Sequence, residues 1–370
     1  MAGFRGTGAF SHQRPEKLGV LVANLGTPAA PEATDVRTYL REFLWDPRIV
    51  EMPRWKWWFI LNGPILTFRP KKSAHAYQTI WTEAGSPLLL SSQALTEALR
   101  AQIQARFNCD VVVELGMRYG QPALKEIMRK MQDQGVERVL VLPLYPQYSA
   151  TTTASTFDAV TQELQTWRHL PEMRMVKHYH DHPRYIEALA DSVKRHWQEK
   201  GRGEVLLLSF HSIPMEFFQK GDPYYCECMK TARLLAESLG LEAQQWRVSF
   251  QSRLGTVEWL RPYTDEVLLE MAQAGEHSVD VICPGFAVDC LETLEEIAIA
   301  NRDDYLAAGG QRFEYIPALN VSGVHVQLLT ELVEQHTLGW PGNPHSVVFP
   351  EVSEQELAER AQRVKAMGGE

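Results

Sequence analysis

Short apolar runs, each bounded by turn residues and followed by a longer helical pattern, recur along this chain of 370 residues. Such alternation is the sequence signature of parallel β-sheets flanked by helices, and it predicts an α/β fold. Helices are predicted at Asp222–Leu239 and Asp289–Ala300, among others. The predicted strands are Gly19–Asn24, Asp110–Leu115, Arg138–Leu142, Val205–Phe210, Arg247–Phe250, Val279–Cys283 and Phe313–Ile316.

The two halves of the chain are similar at the ends of these strands. LVANLGTP at 21–28 resembles LLSFHSIP at 207–214, and ELGMRYG at 114–120 resembles SFQSRLG at 249–255. We therefore expect two similar Rossmann-like domains, each a parallel sheet flanked by helices, that face each other across a cleft. In open α/β sheets a ligand lies beyond the carboxyl ends of the strands, so chemistry is expected there.

The predicted domains take up most of the chain. The N-terminal domain covers 18–172 and includes an aromatic lip at 53–70, and the C-terminal domain covers 173–320. A helix over 321–338 is expected to pack back on the first domain. The flanking segments are predicted to be a disordered tail at 1–17 and a peripheral tail at 339–370, with a capping-box pattern at Ser353 and Glu356.

Charge and cysteine content exclude several classes of function. The 46 acidic residues outnumber the 37 lysines and arginines, and the net charge of −9 argues against nucleic acid as a partner. Five cysteines are too few for a disulfide framework and favour a reducing compartment. The N-terminal residues lack a secretory pattern, and no run approaches the ~18 apolar residues of a membrane span, so we expect a cytoplasmic protein.

Three common motifs of α/β enzymes are missing from the sequence. Neither G-x-G-x-x-G after a strand nor G-x-x-x-x-G-K-[ST] occurs, so nicotinamide and ATP enzymes are disfavoured. The absence of G-x-S-x-G disfavours the commonest hydrolase on such a sheet.

The strongest candidates for chemistry follow two strands of the predicted second sheet. His211 ends the run VLLLSF, where it can accept a proton or bind a divalent metal; the alternative is a hydrogen-bonded turn histidine. Asp289 and Glu292 begin the helix after the strand at 279–283, and Glu296 lies one turn further on the same face. Asp289 and Glu292 also fit a capping box that needs no ligand. A histidine opposite carboxylates suits an ion such as Fe²⁺ or paired proton transfer.

Two other clusters of metal-binding residue types have plain structural explanations. Cys226 and Cys228 lie in an amphipathic helical pattern and are predicted to be core or surface cysteines, because their spacing is not that of a metal or redox motif. His178, His180 and His182 alternate beside a proline at the domain junction. They are interpreted as a solvated linker, with an adventitious metal chelate as the alternative.

The lip at 53–70, PRWKWWFILNGPILTFRP, mixes aromatic and basic residues. Its first six residues include three tryptophans, Trp55, Trp57 and Trp58. This composition is typical of a shallow membrane-interface or lid element. The alternative is an ordinary helical hairpin packed on the core.

Several stretches together resemble the ferrochelatase family, from Gly19 to about Leu338. They are GVLVANLGTP, YQTIWTEAGSPL, GMRYGQP, LPLYPQYSATTTAST, LLLSFHSIP, KGDPYYCECMKTARLL, SFQSRLGTVEWLRPYTD and CPGFAVDCLETLEEI. The resemblance implies insertion of Fe²⁺ into protoporphyrin IX to give protohaem, the last step of haem synthesis, with release of two protons.

The resemblance also implies roles for individual residues. Carried over by position, the essential histidine is His211 and the essential acid is Glu292, both as catalytic residues and as metal ligands. Asp289 and Glu296 would form an acidic path for iron or protons behind them. The porphyrin contacts implied by the match are Tyr77, Arg118 (through a propionate), Tyr148, Pro214 and Trp259, of which Trp259 also fits plain core.

The sequence departs from animal relatives at three positions. Cys290 replaces a histidine and Ala300 replaces an acid, which implies a shorter acidic path. Ala150 stands at the place of a cluster cysteine and no cysteine follows Cys290, so we predict a bacterial-type chain with no [2Fe-2S] cluster and no other cofactor. Iron is a substrate. A monomer with peripheral contact to the inner membrane is expected.

Two rival functions fit the same pattern. One is a chelatase of the same fold that inserts Co²⁺ or acts on coproporphyrin III. The other is a non-catalytic carrier of a tetrapyrrole or metal, although a carrier would not need both His211 and Glu292. The lip favours the more lipophilic protoporphyrin.

Overall fold

The computed structural model describes residues 3–6, 16–253, 255, 257–347 and 353–368. Strands and helices alternate through the first half as the sequence pattern predicts. Short π-helical turns at Leu61–Ile65 and Ala150–Ala154 precede two of the helices. The elements are β1 (Lys17–Thr27), α1 (Ala33–Trp45), α2 (Arg54–Ile60), α3 (Leu66–Ile80), α4 (Pro87–Arg106), β2 (Val111–Gly120), α5 (Leu124–Asp133), β3 (Val136–Pro143), α6 (Ser155–Leu164) and β4 (Glu172–Met175).

The second half repeats this alternation and ends with two helices. A 3₁₀ turn at Ala243–Gln245 and a π-helix at Glu292–Asn301 interrupt the α-helical pattern. The elements are α7 (Pro183–Lys200), β5 (Val205–His211), α8 (Met215–Gln219), α9 (Tyr224–Leu239), β6 (Trp246–Gln251), α10 (Thr264–Gln273), β7 (Ser278–Ile282), α11 (Arg302–Ala307), β8 (Arg312–Ile316), α12 (Gly323–His336) and α13 (Glu354–Ala366).

The described strands form two parallel four-stranded sheets with equivalent topology. The strand orders are β2-β1-β3-β4 and β6-β5-β7-β8, so β1 and β5 occupy the same place in their sheets. Because all neighbours are parallel, the carboxyl ends of each sheet lie along one edge. The predicted fold class, two Rossmann-like α/β units flanked by helices, is confirmed.

The sequence analysis did not predict one of the strands, and it predicted shorter bounds for others than the structure shows. β4 has only four residues and is partly exposed at the sheet edge, so it lacks the apolar run that marks a buried strand. β1 runs on to Thr27 because its polar end still pairs with β2, with Gly26 opposite Tyr119. A side chain at Gly26, whose φ is +109°, would place Cβ 1.8 Å from the Tyr119 carbonyl oxygen.

One apolar core joins the two units. Leu18 and Val20 of β1 belong to the same buried cluster as Leu206 and Leu208 of β5. The last core helix, α12, packs on α4 of the first unit and on α7. Its Glu334 forms a 2.9 Å ion pair with Arg106 at the end of α4. The helix expected at 321–338 therefore lies against the first unit.

The flanking segments differ from the expected tails. Arg5 is not disordered, because its backbone N–H donates to the Thr166 carbonyl over 2.7 Å; residues 7–15 lie outside the described part of the chain. Trp340 is not peripheral, because it is fully buried and its indole N–H donates to Glu172 over 2.6 Å. The capping box predicted at Ser353 and Glu356 is present at the start of α13.

Two further properties concern the part of the chain that the structure describes. No described helix has the length and hydropathy to cross a bilayer. All five cysteines lie within the described ranges, and each of them is free.

Candidate active site

His211 lies at the carboxyl end of β5, beside Gln251 at the end of β6. Its side chain is half-buried, and Nδ1 is 2.6 Å from the Ser212 carbonyl oxygen. Because a carbonyl oxygen can only accept, this contact assigns the hydrogen to Nδ1. The lone pair of Nε2 is then available to take a proton or bind a metal ion.

The carboxylates Glu292 and Glu296 lie on the π-helix that follows β7. Its hydrogen bonds run from residue i to i+5, a geometry that is rare and common at functional sites. The helix begins at Glu292, not at Asp289, and no side chain caps its amino end. The capping-box interpretation of Asp289 and Glu292 is therefore wrong.

The end of β6 holds this helix in place. Gln251 Nε2 donates to the Glu292 carbonyl over 2.8 Å, and the Ser252 hydroxyl donates to the Glu296 carboxylate. Ser252 has φ of +67°, a left-handed conformation that is costly for a serine. Sequence reasoning did not assign either residue to the site, although both lie in the repeated stretch SFQSRLG that follows a strand.

His211, Glu292 and Glu296 act on one another electrostatically. Burial raises the pKa of Glu296, and the Ser252 hydroxyl and His211 oppose this rise. The negative charge of Glu292 adds to the rise. Glu296 is thus a carboxyl group that can hold a proton at a higher pH than an ordinary glutamate.

Asp289 does not belong to this group. Its Oδ1 accepts hydrogen bonds from the Tyr315 hydroxyl (2.6 Å) and the Thr293 hydroxyl (3.0 Å), and its Oδ2 accepts from the Asn320 amide (2.7 Å). A buried carboxylate whose oxygens are occupied in this way holds loops together. Asp289 is thus held in place by the segments around it, and its place in an acidic path stays a prediction.

The first unit closes the other side of the site through α3. Tyr77 is buried in this helix and lines a pocket with Cys290 and Glu292 of the second unit. Burial raises the pKa of the Tyr77 phenol, and the charge of Glu292 raises it further, so the hydroxyl stays protonated. The pocket therefore lies between the two units and joins a neutral phenol to the acidic helix.

Basic residues of α3 also face the π-helix. The sequence analysis did not assign these residues to the site. Burial lowers the pKa of Arg69, while the negative charge of Glu292 opposes that change. Burial raises the pKa of Glu295, while Lys72 and His75 lower it. The sequence shows these cations on α3, but their approach to the π-helix depends on packing between the two units, which no local signal encodes.

Arg118 is paired inside the first unit. Its guanidinium forms an ion pair with the buried Asp46 carboxylate and donates from Nε to Ser155, at 2.7 Å from the hydroxyl. The Tyr119 hydroxyl donates to the same carboxylate over 2.8 Å. The charge of Arg118 is thus already balanced, which weakens the prediction that it binds a porphyrin propionate.

The remaining porphyrin candidates fall in two places. Pro214 and Trp259 are brought together, because their backbones form an isolated antiparallel bridge and both side chains are half-buried. Tyr148 lies elsewhere, in the loop after β3, with the Lys177 ammonium 5.0 Å from its ring centroid.

The lip divides into buried and exposed aromatic residues. Trp57 is 6% exposed and donates from Nε1 to the Leu44 carbonyl over 2.7 Å, so it belongs to the core. Trp55 and Trp58 are 66% and 51% exposed, and Phe59 and Phe68 are also exposed. The membrane-interface interpretation therefore fits Trp55 and Trp58, and the alternative of packing on the core fits Trp57.

A histidine and carboxylates follow strands of the second parallel-sheet unit, and α3 of the first unit packs against their helix; this arrangement suits a metal chelatase of the α/β class. The fold agrees with this class. The solved structure of SirB from Bacillus subtilis with Fe³⁺ aligns with a TM-score of 0.51 at 12% identity, over 86% of this chain and 95% of that one. This likeness shows the shared fold alone.

Sequence comparison identifies the particular family. The ferrochelatase family model matches residues 17–337. A relative from Nitrosococcus oceani named ferrochelatase is 53% identical over 91% of both chains. One from Marinobacter nauticus with the same name is 50% identical over 97% of this chain and 95% of its own. The chain belongs to the ferrochelatase family, whose members are metal chelatases of the lyase class.

Proposed function

We propose that this protein inserts Fe²⁺ into protoporphyrin IX to give protohaem, the last step of haem synthesis. The observation that carries the proposal is the meeting of the two units at the π-helix: Tyr77 of the first unit lines the same small cavity as Glu292 of the second, and both His211 and Glu292 act electrostatically on Glu296. Two pyrrole protons must leave the macrocycle as the ion enters, so the site needs proton acceptors and anionic groups on one side. The second unit supplies both.

His211 is the proposed acceptor of the first pyrrole proton. Its Nδ1–H is held by the Ser212 carbonyl, which orients the ring and keeps Nε2 free. The same lone pair can serve as an initial metal ligand, so the proposal assigns both roles to this atom at different stages.

Glu292 and Glu296 are the proposed anionic route. Glu292 would ligate the ion, and Glu296, one π-helical turn deeper, would take up a proton because burial raises its pKa. The hydroxyl of Ser252 orients the Glu296 carboxylate. Iron is a substrate in this scheme, and the protein is proposed to need no resident cofactor.

The substrate is proposed to reach the cleft from a membrane surface. Trp55, Trp58, Phe59 and Phe68 expose aromatic surface beside basic residues of α2 and α3. Such a surface suits a cytoplasmic protein that contacts the inner membrane peripherally, and it favours lipophilic protoporphyrin. The residues proposed to contact the porphyrin and the acidic residues of the ion route all come from one chain in this scheme, which is consistent with a monomer.

An anaerobic assay tests the proposal. Fe²⁺ and protoporphyrin IX are mixed with catalytic amounts of protein, and loss of the free-base visible bands is followed over time. Many turnovers per chain are expected. Stoichiometric binding without turnover would support a carrier, and faster turnover with Co²⁺ or with coproporphyrin III would support the rival chelatase.

A further inference from the structure

A second group of metal-binding side chains shares no residue with the active site. His178 and His180 belong to the segment that connects β4 with α7, and Glu227 lies on α9. One donor atom from each of these three residues lies within 4.8 Å of the other two. The Nδ1 atom of His178 is 2.7 Å from Glu227 Oε1, and Nδ1 of His180 is 3.2 Å from Oε2.

The burial of this cluster is unusual for a solvated linker. His180 and Glu227 are 5% and 7% exposed. Nδ1 of His180 is buried, and no described group meets it in hydrogen-bond geometry, although a carboxylate oxygen is close. Nδ1 of His182 and Nε2 of His196 are in the same state, but of these three histidines His180 alone lies in a described group of metal-binding side chains.

The charges of the cluster also favour a cation. Burial by itself would raise the pKa of Glu227, but His180, the Tyr148 N–H and His178 together lower it, so the carboxylate is ionised. Two imidazoles and one carboxylate form a donor set that binds Zn²⁺ and other first-row divalent ions with one position open. His178 is 39% exposed and provides access from solvent.

We propose that His178, His180 and Glu227 form a second metal site, which binds a first-row divalent transition-metal ion such as Zn²⁺ or Co²⁺. The ion would link α9 of the second unit to the interdomain segment. It would also support the loop after β3, since Glu227 Oε2 accepts the Tyr148 N–H over 2.7 Å. The site is thus a clamp between the two units, separate from the ion route at His211.

The test uses an untagged full-length chain that carries His211→Ala and Glu292→Gln, so that the active site cannot supply the signal. Titration with Co²⁺, followed by its visible d–d absorption, is expected to show one bound ion per chain. Zn²⁺ is expected to displace this ion and to raise the melting temperature.

Three further substitutions, each added to the His211→Ala, Glu292→Gln chain, test which side chains bind the ion. His178→Ala, at a half-exposed position that should not disturb folding, is expected to weaken Co²⁺ binding by at least about tenfold, the low end for loss of a metal-site partner. Glu227→Gln should weaken it as well. His182→Ala is the matched control, because Nε2 of His182 contacts the Gln335 amide, and binding should not change.

Two results would overturn the proposal. Either the parent variant binds no Co²⁺ at micromolar concentration, or His178→Ala binds it as tightly as the parent does. The cluster would then be a hydrogen-bonded network only. Neither result would bear on iron insertion by the unmodified protein.

Discussion

Asp46 in the first unit and Glu296 in the second are desolvated carboxylates whose pKa values shift in opposite directions. Ser155, Arg118, Tyr119 and a backbone N–H all meet Asp46 and lower its pKa, although burial opposes them. Burial raises the pKa of Glu296 and the charge of Glu292 adds to the rise, although the hydroxyl and backbone N–H of Ser252 and the nearby His211 oppose it. A buried carboxylate with several hydrogen-bond partners keeps its charge and contributes to the fold. A buried carboxylate with fewer partners is costly to ionise, so it can take up a proton during a reaction.

The central strands of the two sheets show the same contrast. In the repeat of LVANLGTP and LLSFHSIP, Leu25 occupies the place of His211. Both positions lie at the carboxyl end of the strand at the same place in its sheet. The two units thus share the same strand topology. The second unit contributes the reactive groups, and the first contributes side chains that close the site. Substitutions in each unit test this division of roles.

Loss of His211 is expected to have the largest effect. His211→Ala should lower kcat by about 10³-fold, because the proton acceptor at the strand end is removed. Porphyrin should still bind, as measured by quenching of its fluorescence. Retention of more than a tenth of the activity would remove His211 from the proposed mechanism.

Glu296→Gln should lower the activity and raise the melting temperature at neutral pH. We expect kcat to fall by about 10²-fold, since a proton acceptor is lost. Between the usual glutamate pKa of 4.5 and its raised folded value, the folded state binds the proton more tightly, so stability falls as pH rises. The variant should therefore melt higher than the parent at neutral pH, and the difference should vanish below pH 4.5. A lower melting temperature at pH 7 would contradict this expectation.

Asp46→Asn should behave in the opposite way. Removing the charge that Arg118 pairs with should lower the free energy of unfolding by about 2 kcal/mol at neutral pH, with little change in kcat. Because the folded pKa of Asp46 is lowered, the loss should shrink as pH falls below its usual value of 3.8. Urea unfolding at several pH values measures it, and a pH-independent loss would mean that packing and not charge is involved.

The smallest effect is expected at the lip. Replacing the exposed Trp55 and Trp58 by serine should weaken binding to anionic vesicles by about tenfold without changing the melting temperature. Trp57→Ser is the control: it should lower the melting temperature, because its side chain is buried. Unchanged vesicle binding in the double variant would remove the membrane from the proposed route.

Most of the fold could be predicted because buried parallel strands are continuous apolar runs. β4 could not, since four partly exposed edge residues carry no such signal. The π-helix at Glu292–Asn301 was predicted as an α-helix, because a change in hydrogen-bond register leaves the apolar pattern nearly unchanged.

The site was predictable where one residue follows one strand and not where distant residues meet. His211 and Glu292 could be chosen from strand ends alone. The pairing of Arg118 with Asp46, 72 residues apart, and the approach of Arg69 to Glu292 depend on packing between elements that the local pattern does not encode.

The return of α12 to the first unit has a consequence for synthesis. A domain that is complete in sequence can fold while the ribosome is still making the next one. Helix α4 is covered only when Gly323–His336 packs on it, and those residues are synthesised after the strands of both sheets. The first unit therefore leaves the ribosome incomplete, and the nascent chain exposes apolar surface until α12 has been made.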